Sequence, residues 1–290
     1  MKGILLAGGS GTRLYPLTKV ISKQLLPVND KPMIYYPLSI LMIAGIREIL
    51  IISTPKDLLL FEKLLGDGSN YGLKLSYEVQ QKPEGIAQAF QIGKNFIGQD
   101  DVCLILGDNI LFGAGLKDLL LSSIETVKSD GLAIVYGYHV DNPKDFGVIE
   151  FKEDKVISIE EKPEHPKSNF AVIGLYFYPN DVVKYSYEIK PSDRGELEIT
   201  SINQLYLHKN KLSVKKLGRG NVWLDTGTNE NISEANILIR SIEQNSNLKI
   251  GCIEEIAFEK NWIEKRDIEV LITEMGKSDY ANYLKKLITD

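Results

Sequence analysis

The chain of 290 residues has little cysteine, little histidine, no excess of positive charge and no long apolar run, and each shortage removes a class of function. Its two cysteines, Cys103 and Cys252, are too few for a disulfide framework or a thiolate metal cage, so a reducing compartment is expected. Cys103 lies in an apolar run and reads as a small buried hydrophobe. The three histidines, His139, His165 and His208, show neither metal spacing nor a serine or cysteine partner. With 34 Lys and Arg against 39 Asp and Glu the formal charge is -5, which offers no general field for a nucleic acid polymer. Any phosphate must then be held by local donors. No stretch approaches the ~20 apolar residues that span a bilayer. The apolar start from Met1 to Ala7 is too short for a signal-peptide core, so no membrane partner and a cytoplasmic location are expected. Internal repeats and low-complexity linkers are missing as well.

What is present is an alternation. Short apolar runs and longer amphipathic ones follow one another through the first half, the pattern of a mostly parallel sheet with crossover helices. Strands are expected over 3–7, 48–53, 73–79, 102–106 and 132–138, and helices over 31–44, 57–65, 86–96 and 116–128. Gly45 is placed to cap the first helix. After Gly147, closely spaced strands over 148–151, 156–159 and 171–178 read as a substrate-side addition to the same sheet. Helices over 197–208 and 229–243 flank a strand over 212–217, and from about Glu254 the chain reads as helical.

The first strand runs into Gly8-Gly9-Ser10-Gly11-Thr12-Arg13-Leu14. Glycines let backbone N–H groups approach phosphate oxygens, and loops after strand ends are where α/β sheets bind ligands. The dinucleotide fingerprint would need glycine at Leu14 and an immediate helix, which Pro16 opposes; the Walker A loop would need Gly-Lys-Ser/Thr where Thr12-Arg13-Leu14 stands. Arg13 and Lys23 supply cations near the loop, and nucleotidyl transfer asks mainly for positioning and charge neutralisation. Read alone, Lys23 fits a solvated surface lysine better than a phosphate ligand. Asp108, just after the strand over 102–106, and Asp225, in a tight Leu-Asp-Thr-Gly segment, are suited to holding Mg²⁺ beside phosphates. Gly107-Asp108-Asn109 alone fits a simple turn. By composition alone, Gln80 reads as an exposed polar residue, and Glu160-Glu161-Lys162 as a solvated strand end.

Leu6 to Leu14 followed by Lys23-Gln24-Leu25-Leu26-Pro27 resembles the signature of nucleotide-sugar pyrophosphorylases. Lys31 to Pro37, Gly66-Asp67-Gly68, Leu106 to Asn109, Glu160 to Pro163, Arg194 to Thr200 and Trp223 to Thr228 narrow the likeness to the glucose-1-phosphate thymidylyltransferases, in family order along essentially the whole chain. The resemblance implies an α/β, three-layer nucleotide-diphospho-sugar transferase (Rossmann-like) fold with a mixed, mostly parallel central sheet and a helical C-terminal extension. Residues 1–145 would form a nucleotide-binding half, 146–228 a sugar-phosphate half and 229–290 the extension of a single domain. It also implies that glucose 1-phosphate attacks dTTP to give dTDP-glucose and pyrophosphate, a first step toward dTDP-rhamnose and related deoxysugars.

In that reading Mg²⁺ sits on Asp108 and Asp225, and Arg13, Lys23 and Lys162 handle charge on the phosphates. Gly8, Gly9, Ser10, Gly11, Thr12 and Gln24 contact the nucleotide, and Gln80 with Gly85 reads its base. Lys162 and Arg194 hold the sugar phosphate, while Glu161 and the backbones of Gly147 and Val172 meet the sugar hydroxyls. Phe146 stands where a tyrosine is usual, keeping an aromatic wall without its hydroxyl. A homotetramer is implied, with a second, inhibitory nucleotide-sugar site at Gly218, Arg219, Glu255 and Ile256. A UTP-using relative differs in its base by one methyl group, which a pocket distinguishes by only about 1–3 kcal/mol. A non-catalytic sugar-nucleotide sensor should have lost Arg13, Asp108 or Asp225, and all three are present.

Overall fold

The structure is a computed structural model that describes residues 1–9, 11–153 and 155–289; Ser10, expected in the phosphate loop, lies outside the described residues. In chain order the strands are β1 (Lys2–Ala7), β2 (Pro27–Val28), β3 (Lys31–Pro32), β4 (Glu48–Ser53), β5 (Lys74–Val79), β6 (Val102–Leu106), β7 (Asn109–Gly113), β8 (Ala133–His139), β9 (Gly147–Lys152), β10 (Lys155–Glu161), β11 (Phe170–Tyr178), β12 (Leu212–Lys216) and β13 (Asn221–Asp225). The helices are α1 (Tyr35–Ile43), α2 (Leu58–Leu65), α3 (Gln88–Ile92), α4 (Lys94–Ile97), α5 (Leu116–Asp130), α6 (Val182–Glu188), α7 (Ile199–His208), α8 (Asn229–Ser246), α9 (Ile253–Glu259), α10 (Lys265–Met275) and α11 (Asp279–Leu287).

Among the described residues nine strands join in one sheet, ordered β10-β9-β11-β6-β1-β4-β5, with β8 attached to β11 and β12 to β8. β1 runs parallel to both β4 and β6, and β4 to β5. β11 runs antiparallel to β6, β8 and β9; β8 pairs with both of its halves across a register shift between Val172 and Tyr176, while β9 pairs with its first half and β6 with its second. The sheet is therefore mixed, with a parallel block of β6, β1, β4 and β5 and a second parallel pair of β8 and β12. Side chains of β1 alternate between two cores: Leu5 and Ala7 pack with α1, α2, α5 and α9 to α11, whereas Ile4 and Leu6 pack with α3, α4, α6 and α7. This period of two makes the three layers, helices on each face of one sheet. Burial of Ile4 or Leu5 at 0 % exposure contributes roughly 1.5–3 kcal/mol each.

The expected helices needed several corrections. The first starts at Tyr35 because Lys31 and Pro32 pair with Pro27 and Val28 in a short ladder, and a residue before proline disfavours the helical region. It ends as expected: Gly45 has φ 80, its N–H bonds Met42 O at 2.8 Å, and the Ile46 N–H bonds Leu41 O at 3.0 Å. The helix expected over 86–96 divides at Gly93 into α3 and α4. The C-terminal part holds α9, α10 and α11, and no helix among the described residues is long and apolar enough to cross a membrane. α6 was not foreseen, nor was the antiparallel ribbon of β7 and β13, which sets Asp225 opposite Asn109.

Candidate active site

The parallel strands deliver the first site residues. Because Leu6 pairs with both Ile52 and Leu106, the segments that follow β1, β4 and β6 leave the sheet at one edge. Backbone bonds extend the order past the strand ends, Gly107 N–H to Leu6 O at 2.9 Å and Gln80 N–H to Ser53 O at 2.8 Å. Gly8, Gln80 and Asp108 thus meet at the carboxyl ends of parallel strands, where open α/β sheets bind ligands. A β-carbon at position 8 would stand 2.7 Å from Gln80 Oε1, so a larger residue there must move that side chain.

Three cavities adjoin along this edge. One of about 210 Å³ is lined by Gly8, Gly9, Gly11, Thr12, Arg13, Lys23, Gln24 and Asp108. A second of about 160 Å³ shares Gly8 and Gly9 with it and adds Gln80, Pro83, Gly85, Ile86 and Glu196. A third of about 220 Å³ shares Arg13 and Asp108 with the first and is walled by Gly147, Glu161, Lys162, Val172, Thr200, Trp223 and Asp225. Most of the residues expected at three separate subsites therefore line one connected cleft.

Within the cleft, Asp108 accepts from Lys23 Nζ on Oδ2 at 2.7 Å and from Asn109 Nδ2 on Oδ1 at 3.0 Å. Asn109 is buried, and its own Oδ1 accepts from Trp223 Nε1 at 2.6 Å and from the Gly174 N–H at 3.0 Å. Thr226 donates its hydroxyl to Asp108 O at 2.8 Å, and Asn231 Nδ2 donates to Asp225 O at 2.7 Å from the first turn of α8, which the Thr228 side chain caps. A β-carbon at Gly227 would stand 3.0 Å from Asp225 Oδ2 and 3.4 Å from both terminal nitrogens of Arg13, so that glycine lets the guanidinium and the carboxylate share one corner.

The two aspartates feel each other. Burial opposes the charge of Asp108, but Lys23 and the hydrogen bonds from Lys23 and Asn109 outweigh it and hold the carboxyl below its usual range. Burial also acts first on Asp225, and with the charge of Asp108 nearby it pushes that group up to about 6, against the pull of Lys23 and Arg13. Two half-buried carboxylates on one cavity, one of them short of positive charge, fit a hard divalent cation that takes oxygen ligands.

On the sugar-phosphate side, a β-carbon at Gly147 would lie 3.2 Å from Thr200 Oγ1, 3.6 Å from Glu161 Oε2 and 3.6 Å from Val172 Cβ, so these four residues converge. Thr200 donates to Glu161 Oε2 at 2.5 Å, while burial pushes the Glu161 carboxyl upward. Lys162 adopts φ 41, uncommon for a residue with a side chain, and its N–H bonds Phe146 O at 3.0 Å. Phe146 packs edge-on to Trp223 at 5.1 Å, the aromatic wall expected. Arg194 is not among the residues of that wall; its guanidinium pairs with carboxylates, 3.5 Å from Glu161, 3.1 Å from Glu196 and 3.7 Å from Glu198. Gln80 donates Nε2 to Gln88 Oε1 at 2.7 Å and to Gly85 O at 3.4 Å, and buried Gln24 donates to Gly8 O at 3.5 Å.

The residues expected at a regulatory site are placed differently. Gly218 and Arg219 are exposed on the turn between β12 and β13. Glu255 and half-buried Ile256 lie on α9, and Glu255 lines a separate cavity of about 850 Å³ with Lys249 and Tyr283, a wall that does not include Arg219. Asn109, Thr200, Trp223 and Thr226 were not expected as site residues on their own account. All four stand inside the recognised motifs, but their partnerships depend on the β7–β13 ribbon and on α7.

Residues 2–241 match the profile described as nucleotidyl transferase. The chain belongs to the nucleotidyl transferase family. Among curated nucleotidyl transferases, the glucose-1-phosphate thymidylyltransferase of Neisseria meningitidis serogroup A is 53% identical over 289 residues, 99% of each chain. That of Mycolicibacterium smegmatis is 50% identical over 289 residues, again 99% of each. The crystal structure of a Bacillus anthracis protein assigned as a glucose-1-phosphate thymidylyltransferase, in complex with sucrose, matches with a TM-score of 0.76 at 42% identity, covering 83% of this chain and 95% of that one. UDP-glucose pyrophosphorylase complexed with UDP-glucose matches with a TM-score of 0.74 at 26% identity, covering 83% and 98%.

Proposed function

We propose that this nucleotidyl transferase joins dTTP and glucose 1-phosphate into dTDP-glucose with release of pyrophosphate, and the observation that carries the reading is the shared walls of the three cavities. The base cavity and the phosphate cavity meet at Gly8 and Gly9, and the phosphate cavity meets the sugar cavity at Arg13 and Asp108. A nucleotide lying across the first two would bring its α-phosphate to the third.

Gln80 spends its amide N–H groups on Gln88 and Gly85, which leaves Oε1, facing Gly8, to accept the N3–H of thymine or uracil. Cytosine has no such donor. Glu161, already accepting from Thr200 on one oxygen, accepts a sugar hydroxyl on the other, beside the backbones of Gly147 and Val172. Lys162 orients the sugar phosphate, and Arg194 is within one side chain of it through Glu161. The attacking oxygen is already an anion, so the chain need supply no base; it supplies alignment for one in-line displacement at the α-phosphorus. The planar fork of Arg13 spans two phosphate groups and stabilises the leaving pyrophosphate. Asp108 and Asp225 would hold Mg²⁺, which supplies charge neutralisation for the phosphates. In the same reading the protein works in the cytoplasm as a homotetramer, which light scattering tests.

The test is a panel of four nucleoside triphosphates against several sugar 1-phosphates, followed by pyrophosphate release. dTTP with glucose 1-phosphate should be fastest, UTP slower by about 10- to 200-fold at most, and CTP far slower. No pyrophosphate from any pair, or a preference for a purine nucleotide, would overturn the assignment.

A further inference from the structure

We propose that Lys23 is an exchangeable counter-ion: in the free protein its ammonium occupies the Asp108 oxygen that a divalent cation must take, and it leaves only when a nucleotide phosphate offers it a new partner. The inference rests on the reading of Asp108 and Asp225 as the cation site. Both oxygens of Asp108 are engaged, Oδ1 by Asn109 at 3.0 Å and Oδ2 by Lys23 at 2.7 Å. The two engagements differ in how readily they yield.

Asn109 cannot turn its amide over, because its Oδ1 is pinned by Trp223 Nε1 at 2.6 Å and by the Gly174 N–H at 3.0 Å; a flipped amide would face two donors with a third inside the core. The Oδ1 side of Asp108 is thereby fixed. Lys23 reaches Oδ2 from a short turn over Lys23–Leu25, on a flexible four-carbon stem, and it lines the phosphate cavity itself. A small swing of that stem exchanges a carboxylate for a phosphate. Arg13 does not stand in for it at Asp108, since its guanidinium lies at the Gly227 corner beside Asp225.

Cation binding to the free protein must therefore displace a close, half-buried ammonium that gains nothing in return. With the triphosphate in the cavity the displaced ammonium is paired at once, so cation and nucleotide strengthen each other's binding by a common factor. The consequence is an enzyme that takes up its cation together with the nucleotide and binds it poorly alone.

Mn²⁺ serves as the probe, with free ion counted by electron paramagnetic resonance in the presence and absence of the α,β-methylene analogue of dTTP. Lys23→Met should bind Mn²⁺ on the order of tenfold more tightly than wild type without nucleotide, and the analogue should strengthen it by a smaller factor than in wild type, the remainder being direct ligation by its phosphates. Lys23→Arg, which keeps the charge, should stay close to wild type without nucleotide and so separates occupancy by a cation from any change in packing. Unchanged or weaker Mn²⁺ binding by Lys23→Met in the absence of nucleotide overturns the exchange. If Asp225→Asn leaves Mn²⁺ binding untouched in every state, the cation-site reading itself falls and takes the exchange with it.

Discussion

Among the carboxylates withdrawn from bulk water, two pairs have neighbours that differ in kind. Asp108 and Asp225 border the cleft, with Lys23 bonded to one and Arg13 beside the other. Glu254 and Glu255 are buried on α9 beneath α11, where Tyr280 donates its hydroxyl to Glu254 at 2.6 Å and Tyr283 donates to Glu255 at 2.7 Å. Glu254 Oε1 has no hydrogen-bond partner among the described residues. Burial pushes both glutamates upward, and the hydroxyls recover only part of that. The cleft carboxylates are thus compensated by cations on a flexible stem and a loop, which a ligand can recruit. The α9 pair is hydrogen-bonded by neutral hydroxyls fixed to a helix, and burial holds its carboxyls above their usual range against smaller pulls from Lys31 and Lys249. Both pairs are withdrawn from bulk water and each numbers two acids; the kind of compensating group differs.

The widest separation between the pairs should come from charge removal. Asp108→Asn or Asp225→Asn should lower turnover by about two to three orders of magnitude with little loss of thermal stability, whereas Glu254→Gln should leave turnover unchanged. Near-normal pyrophosphate release by either aspartate variant would remove that residue from the site. A smaller effect belongs to the geometry of the cation. Arg13→Lys keeps the charge and loses the fork, so kcat should fall by about tenfold or more while the KM for dTTP moves less; the reverse split would make Arg13 a uniform binding residue.

A third change touches the cleft without touching charge. Gly8→Ala would place a methyl 2.7 Å from Gln80 Oε1 and displace the base reader, so the KM for dTTP should rise several-fold with a lesser change in kcat. Steady-state kinetics that show no rise would separate Gln80 from base recognition.

The smallest effect lies in the α9 pair and is read in stability. Glu254 has its folded value raised above the ordinary 4.5, so above that pH the folded state holds the proton longer than the unfolded chain. Stability must then fall as pH rises through the window between the two values, the opposite of a salt-bridged aspartate. Glu254→Gln should flatten the loss of melting temperature across that window, measured by calorimetry. Parallel slopes in the two proteins would show that Glu254 is not the group responsible.

Much of the cleft was legible because its parts are local. The loop after β1 and Asp108 after β6 follow apolar runs, and parallel pairing brings their ends together without further instruction. Gly147, Glu161 and Val172 come from strands that the alternation marked, though only α7, through Thr200, closes the group. The Trp223–Asn109 bond was not legible, because its partners stand 114 residues apart on two short strands that neither alternation nor a turn signal announces. The resemblance implies Arg194 as a sugar-phosphate ligand, and its three carboxylate partners come from β10 and its own loop, a juxtaposition that no single segment encodes. Gly93 divides a run that periodicity alone reads as one helix; glycine costs a helix interior roughly 1 kcal/mol, and here packing decides the boundary.

The claim that an open carboxylate pair with mobile counter-ions serves a single direct displacement is tested most directly at the α-phosphorus. Glucose 1-phosphate and one diastereomer of dTTP carrying sulfur on that phosphorus, with the product configuration assigned by phosphorus NMR, should give inversion, because one in-line attack inverts the centre. Retention would require two displacements through a nucleotidylated side chain and would contradict the account.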